Sequence, residues 1–195
     1  GKSFIGIGAY LATGRGGDNP ERVAWSEGIN LPTNDIATAS AMMRAHANDN
    51  TRVDRPVYHF SINWHPLEGE NLDQAQAMEI MRETLSALGL DEHQALIVAH
   101  QDTEHFHIHA VVNRIHPDTA KSWKQGLSKI ALEKTMARLS LKHGFEIVPG
   151  HHNAGDLGID PPDASQSLPS EALQFEERTG QDSDLTKARN EIRDD

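Results

Sequence analysis

The chain has 195 residues, with 18 Lys and Arg against 29 Asp and Glu, 12 His and no Cys. That length suits one domain with an extension, and the lack of Cys excludes disulfide scaffolds, thiolate zinc sites and cysteine nucleophiles. No apolar run nears the roughly 20 residues of a membrane span, the start Gly-Lys-Ser-Phe has no signal-peptide pattern, and a net charge of −11 argues at first sight against a nucleic-acid binder.

The first apolar stretch, residues 3–13, reads as a short helix capped by Ser3 and stopped by Gly14-Arg15-Gly16-Gly17. Residues 22–31 mix apolar and polar positions as a strand does. Asn34-Asp35 opens an Ala- and Met-rich helix that runs to Ala47 and ends at Asn48-Asp49-Asn50. Residues 57–64 are rich in β-branched and aromatic side chains between Pro56 and Pro66, a strand pattern. Asn71 or Asp73 starts a helix through Leu88, closed by Gly89. Residues 95–100 and 106–115 read as a hairpin, and a last helix spans 128–143 before Gly144. These elements predict an α+β fold, a central antiparallel sheet with helices against one face and the other face open. Residues 151–195 differ in kind, holding 11 acidic and 4 basic residues, Pro161-Pro162 and few large apolar groups. They read as an acidic linker over 151–170 with short helices over 170–179 and 183–193. The expected domain is thus 1–150, only mildly acidic. The absent initiator Met and the abrupt charged end fit a piece of a longer protein.

The chemistry concentrates in His100-Gln-Asp102-Thr-Glu-His105-Phe-His107-Ile-His109-Ala-Val-Val-Asn113. Side chains alternate along a strand, so His105, His107 and His109 share a face while Phe106 and Ile108 point into the core. A turn near Thr103 sets His100 opposite residues 106–107. Imidazole nitrogens bind a divalent ion at about 2.0–2.1 Å, and residues 105 and 109 are about 13 Å apart along a strand. One ion therefore takes a neighbouring pair plus His100. Three neutral imidazoles leave positions open for water or substrate oxygens, as in catalytic sites.

The H-x-D-x-x-H-x-H-x-H-x-x-x-N pattern resembles motif III of conjugative relaxases of the mobilisation-protein and VirD2-like type, within the HUH (His-hydrophobe-His) endonucleases. Pro56-Val-Tyr-His59-Phe-Ser-Ile-Asn-Trp64-His65-Pro66-Leu-Glu68 is similar to motif II of that family. The resemblance spans residues 3–148. It implies a ferredoxin-like or RRM-like palm with His100, His107 and His109 as metal triad, and His105 beside it. It implies a divalent ion, Mg²⁺ or Mn²⁺, and a bacterial cytoplasmic enzyme that nicks single-stranded origin-of-transfer DNA. Its implied partners are accessory relaxosome proteins and a type IV secretion coupling protein, and no membrane.

Such enzymes attack a phosphodiester with a tyrosine and keep a 5′-phosphotyrosyl link. The chain has 2 tyrosines. Tyr58 reads as a packing residue. Tyr10, in Gly-Ala-Tyr-Leu before the glycine cluster, resembles the motif I tyrosine, and a tyrosine ahead of the histidines favours a relaxase over a replication initiator. His59 stands where relatives carry a residue that orients a ligand or takes the proton; Asp102 and Glu68 are alternatives for that role. Asn113 either binds DNA or ends its strand. Arg114, with Arg52, Arg55, Lys121 and Lys124, is a candidate phosphate contact. Trp64 and Trp123 read as core residues. Two rival classes remain at this level, a phosphoesterase that activates water with the same histidines and a binding module without catalysis.

Overall fold

The computed structural model describes residues 1–17, 19–102, 105–126, 128–148, 150 and 153. The chain divides into two units, Gly1–Ile147 and Val148–Asp195, and the elements below all lie in the first. The linker and helices expected beyond residue 153 fall outside the described residues.

In chain order the elements are α1 (Phe4–Thr13), β1 (Val23–Ile29), α2 (Ile36–Ala47), β2 (Val57–Asn63), α3 (Pro66–Gly69), α4 (Gln74–Ala87), β3 (Ala95–His100), β4 (His107–Asn113) and α5 (Ser128–His143). Their starts follow local chemistry. Ser3, Asp35 and Asp73 each adopt an extended backbone and accept a hydrogen bond from the amide three residues on, at Gly6, Thr38 and Gln76. Each such cap satisfies one of the helix's unpaired donors and stabilises by about 1 kcal/mol. The one-turn helix α3 was not expected; Pro66 opens it, where a missing N–H costs nothing. Strand β4 ends at Asn113 rather than 115, and Ile115 forms an isolated bridge with Ser122.

The four strands pair antiparallel in the order β1-β3-β4-β2. The β3–β4 register sets His100 against His107 and Val98 against His109. Strand alternation then separates two cores. Ala95, Ile97 and Ala99 of β3 and Ile108, Ala110 and Val112 of β4 pack with α4, Tyr58, Trp64 and Leu139 of α5. Leu96 and Val98, with Val111, pack instead with Phe4 and Leu11 of α1 and Ala39, Met43 and Ala47 of α2. Helices thus cover both faces, which corrects the expectation of one open face. Helix α1 carries two glycines, Gly6 and Gly8, and one of them explains the layer. A Cβ at Gly8 would stand 2.2 Å from Ser40 Oγ, so only glycine lets α1 press this closely against α2. Tyr58 is buried and packs against Trp123 with ring centroids 4.9 Å apart and planes tilted by 44°, while Trp123 Nε1 donates to the Leu88 carbonyl. All three tryptophans join this core, Trp64 buried and Trp25 and Trp123 packed against it.

Candidate metal centre and its surroundings

On the α1–α2 face the apolar residues give way to histidines at the end of the hairpin nearest its turn. His100, His107 and His109 each offer a ring nitrogen, and these nitrogens lie within 4.8 Å of one another. The ring centroids are 4.7–5.1 Å apart with the planes steeply inclined. No stacking arrangement accounts for that convergence.

Hydrogen bonds assign the nitrogens. His100 is fully buried, and its Nε2 lies 2.8 Å from the Leu11 carbonyl. That carbonyl can only accept, so Nε2 carries the proton and Nδ1 keeps its lone pair. Nδ1 is buried with no hydrogen-bond partner, an expensive state unless something binds there. His107 Nδ1 lies 2.9 Å from the His105 carbonyl, which by the same logic turns Nε2 of that ring inward. His109 Nδ1 lies 3.1 Å from His59 Nε2. Each ring is therefore oriented by a partner on its far nitrogen, the usual arrangement around a metal-binding histidine.

Electrostatics favour the neutral, ligating form. Burial first, then the Arg22 guanidinium, holds the His100 pKa down to about 4, against a small opposing effect of the Leu11 bond. Burial first, then the neighbouring imidazoles of His100, His59 and His107, lowers that of His109 to about 2. His59 is lowered as well, by desolvation and the N-terminal ammonium. At neutral pH each of these rings is uncharged, with one N–H and one lone pair. The donor set fits a divalent ion.

Tyr10 lies in the last turn of α1, with 44% of its surface exposed. It immediately precedes Leu11, whose carbonyl holds His100. The Arg22 guanidinium stands 5.5 Å from the Tyr10 ring centroid, and its Nη1 donates to the Tyr10 carbonyl at 3.3 Å. Asp102 pairs with Arg22 rather than with a ring of the triad, Nε to Oδ2 at 3.0 Å.

The other sequence candidates sit elsewhere. His105 precedes β4, outside the alternating run, and its Nδ1 lies 3.2 Å from the Trp64 carbonyl. Glu68 accepts from the Glu146 amide beyond α5. Asn113 is fully buried; its amide donates to the Met43 carbonyl and to Gln94 Oε1, and its Oδ1 accepts from the Ile115 amide. Of its two sequence roles, this supports the structural one. Arg114 directs Nε and Nη2 to the Trp123 carbonyl and Nη1 to that of Arg55, which binds three loops together. Arg52, Arg55, Lys121 and Lys124 are exposed. Sequence reasoning missed Arg22, which carried no motif and looked like any surface base.

The antiparallel sheet turns His107-Ile-His109 and a cross-strand His100 onto one point, a cluster that could hold a metal ion. Comparison with known proteins gives the family. The MobA/VirD2-like relaxase nuclease domain is matched over residues 10–145, and the chain belongs to that family. It is 31% identical over 106 residues to protein MobA of Acidithiobacillus ferrooxidans, covering 53% of this chain and 25% of the relative. It is 28% identical over 148 residues to a protein TraI of Escherichia coli, covering 75% of this chain and 19% of the relative. A second E. coli TraI matches at 30% over 125 residues, 64% of this chain and 16% of that protein. The chain thus spans a quarter or less of the length of these relatives. No solved structure matches it. Among the described residues no helix is long and apolar enough to cross a membrane.

Proposed function

We propose that this domain cleaves one strand of origin-of-transfer DNA at a specific site and holds the 5′ end covalently on Tyr10. The observation that carries this reading is the buried, unpartnered Nδ1 of His100, aimed at two further imidazoles and tied through Nε2 to the residue after Tyr10. His100 through Nδ1, with His107 and His109 through Nε2, would hold a divalent ion. That ion would supply positive charge at the scissile phosphate. All-imidazole donors favour Mn²⁺ over Mg²⁺, which prefers oxygen ligands.

The phenol oxygen of Tyr10 attacks phosphorus. A new Oη–P bond forms, the P–O3′ bond breaks, and the 3′ oxygen leaves as a hydroxyl after taking a proton. The phenolic proton goes to solvent or a base. Return of that 3′ hydroxyl, or of another, reverses the step and rejoins DNA. His59 orients His109 through their shared hydrogen bond, the supporting role of the two considered for it. The setting implied is conjugative mobilisation, with accessory relaxosome proteins and a secretion coupling protein as partners in the bacterial cytoplasm.

The test is incubation with a random single-stranded oligonucleotide pool and Mn²⁺ or Mg²⁺, denaturation, and sequencing of trapped 5′ ends. The expected result is a metal-dependent adduct with one preferred sequence, absent in Tyr10→Phe. An adduct that persists in Tyr10→Phe removes Tyr10 from the role. Phosphodiester hydrolysis with no adduct would favour a water-activating phosphoesterase.

A further inference from the structure

The geometry points to Arg22 and Asp102 as a clamp that positions Tyr10 against the metal centre. This rests on the reading of Tyr10 as nucleophile. Arg22 ends a 3-10 turn just before β1, and its carbonyl accepts from the Gln101 amide at 3.0 Å. Gln101 lies between His100 and Asp102, so the sheet itself delivers Arg22 to the end of β3. From there the side chain does three things at once. It pairs with Asp102, it donates to the Tyr10 carbonyl, and its guanidinium stands over the Tyr10 ring.

The ion pair is largely shielded, with side-chain exposures of 12% for Arg22 and 16% for Asp102. A pair so placed fixes geometry, because removing one partner strands the other charge. Helix α1 also has a need that Arg22 meets. It has no basic residue in its last turn, where carbonyls lack helical partners and a cation is favourable. Arg22 supplies that cation from outside the helix. Gly14, at φ +78°, closes the helix there, and a Cβ on it would stand 3.2 Å from Arg22 Nη1. The glycine thus gives the guanidinium its room.

Two ties therefore run from the end of β3 to consecutive residues of α1. His100 holds the Leu11 carbonyl, and Asp102, through Arg22, holds Tyr10. The first orients a ligand. The second sets the direction in which an otherwise exposed phenol presents itself. Arg22 is a positioning residue on this argument, touching the nucleophile's ring and backbone and leaving the phosphate to the metal centre.

The experiment uses the full chain with Mn²⁺ and the oligonucleotide pool, measuring adduct formation against DNA concentration, DNA affinity, and Mn²⁺ affinity by calorimetry. In Arg22→Ala the maximal rate should fall about 10- to 100-fold, the scale of a misplaced reacting group. Affinities for DNA and Mn²⁺ should stay within about twofold, and adding Asp102→Asn should cost little more, since the two residues act as a unit. Arg22→Lys keeps charge without the planar fork and should recover part of the rate. An unchanged maximal rate in Arg22→Ala overturns the clamp. A loss that tracks weaker DNA binding and a shallower salt dependence also overturns it, making Arg22 a phosphate contact, as does weakened Mn²⁺ binding. Should Arg22→Ala fail to fold, a full rate in Arg22→Lys overturns the proposal. Tyr10→Phe separates the two readings. An adduct there removes the nucleophile assignment, whereas an inactive Tyr10→Phe beside a normal Arg22→Ala removes the clamp alone.

Discussion

The central hairpin has histidines at both ends, and the two groups differ in what their nitrogens do. At the turn end, His100, His107 and His109 converge, with one buried nitrogen left over. At the far end, His93 Nδ1 meets the Asn113 carbonyl, His116 Nε2 meets Glu92, and His46 Nδ1 meets Gln94. His93 and His116 also touch edge to face at 5.2 Å. The second group spends its rings on protein partners and joins α2, β3 and β4. The first holds its rings in place from behind and turns a nitrogen of each towards the other two. Histidine content alone says nothing of function; the direction of the unspent lone pair does.

Breaking the first group should have the largest effect. His107→Ala or His109→Ala should lower Mn²⁺ affinity by at least about 100-fold in calorimetry, beyond what loss of a supporting residue does, and should remove the adduct with it. Thermal stability should change little. Next in size is a pH effect confined to the metal-free protein. The folded pKa of His100 near 4 lies below its unfolded value of about 6.5, so the unfolded chain binds the extra proton first. Stability is therefore full above pH 6.5 and falls as pH drops towards 4, by at most about 3 kcal/mol from this group. Melting curves of the wild type and His100→Asn across that window should converge at low pH; parallel curves would contradict the shift.

Asn113→Ala breaks the opposite end. It strands the Ile115 amide and the Met43 carbonyl, so a loss of about 2–3 kcal/mol in urea melts is expected, with Mn²⁺ affinity intact. A loss of metal binding there would mean that the two ends are not separable. Smallest is His59→Ala, which removes the partner of His109 Nδ1 and should weaken Mn²⁺ about 10- to 100-fold.

Much of this was legible in the sequence. Ser3, Asp35 and Asp73 announced helix starts because capping is local chemistry, and the period of two in β4 put His107 and His109 on one face with His100 across from them. The cover over that face was not legible. The packing of α1 depends on Gly8 meeting Ser40, a contact between residues 32 apart in the chain, and a glycine in a helix is locally only a weak helix former. His105 was read onto the strand because alternation continued through it, yet pairing begins at His107. Arg22 went unnoticed for the same reason in reverse. Its significance lies wholly in the three groups around it, which come from α1 and the end of β3.

The charge looks different beside the site. Of the formal −11, residues 151–195 hold 11 acids against 4 bases, so the sum describes that segment more than the nuclease domain. Local positive charge at the phosphate would come from the ion, which matters more there than the net value.

The bond from His100 to the Leu11 carbonyl has a thermodynamic consequence. That carbonyl is among the last four of α1, which no helical N–H can reach, and it fixes the tautomer that leaves Nδ1 free. Whatever binds at Nδ1 therefore favours the state in which α1 is docked, and docking of α1 favours binding, by the same coupling energy in each direction. Occupancy of that nitrogen and the order of α1 would then be one cooperative event, and amide exchange along α1 should slow when Mn²⁺ is added.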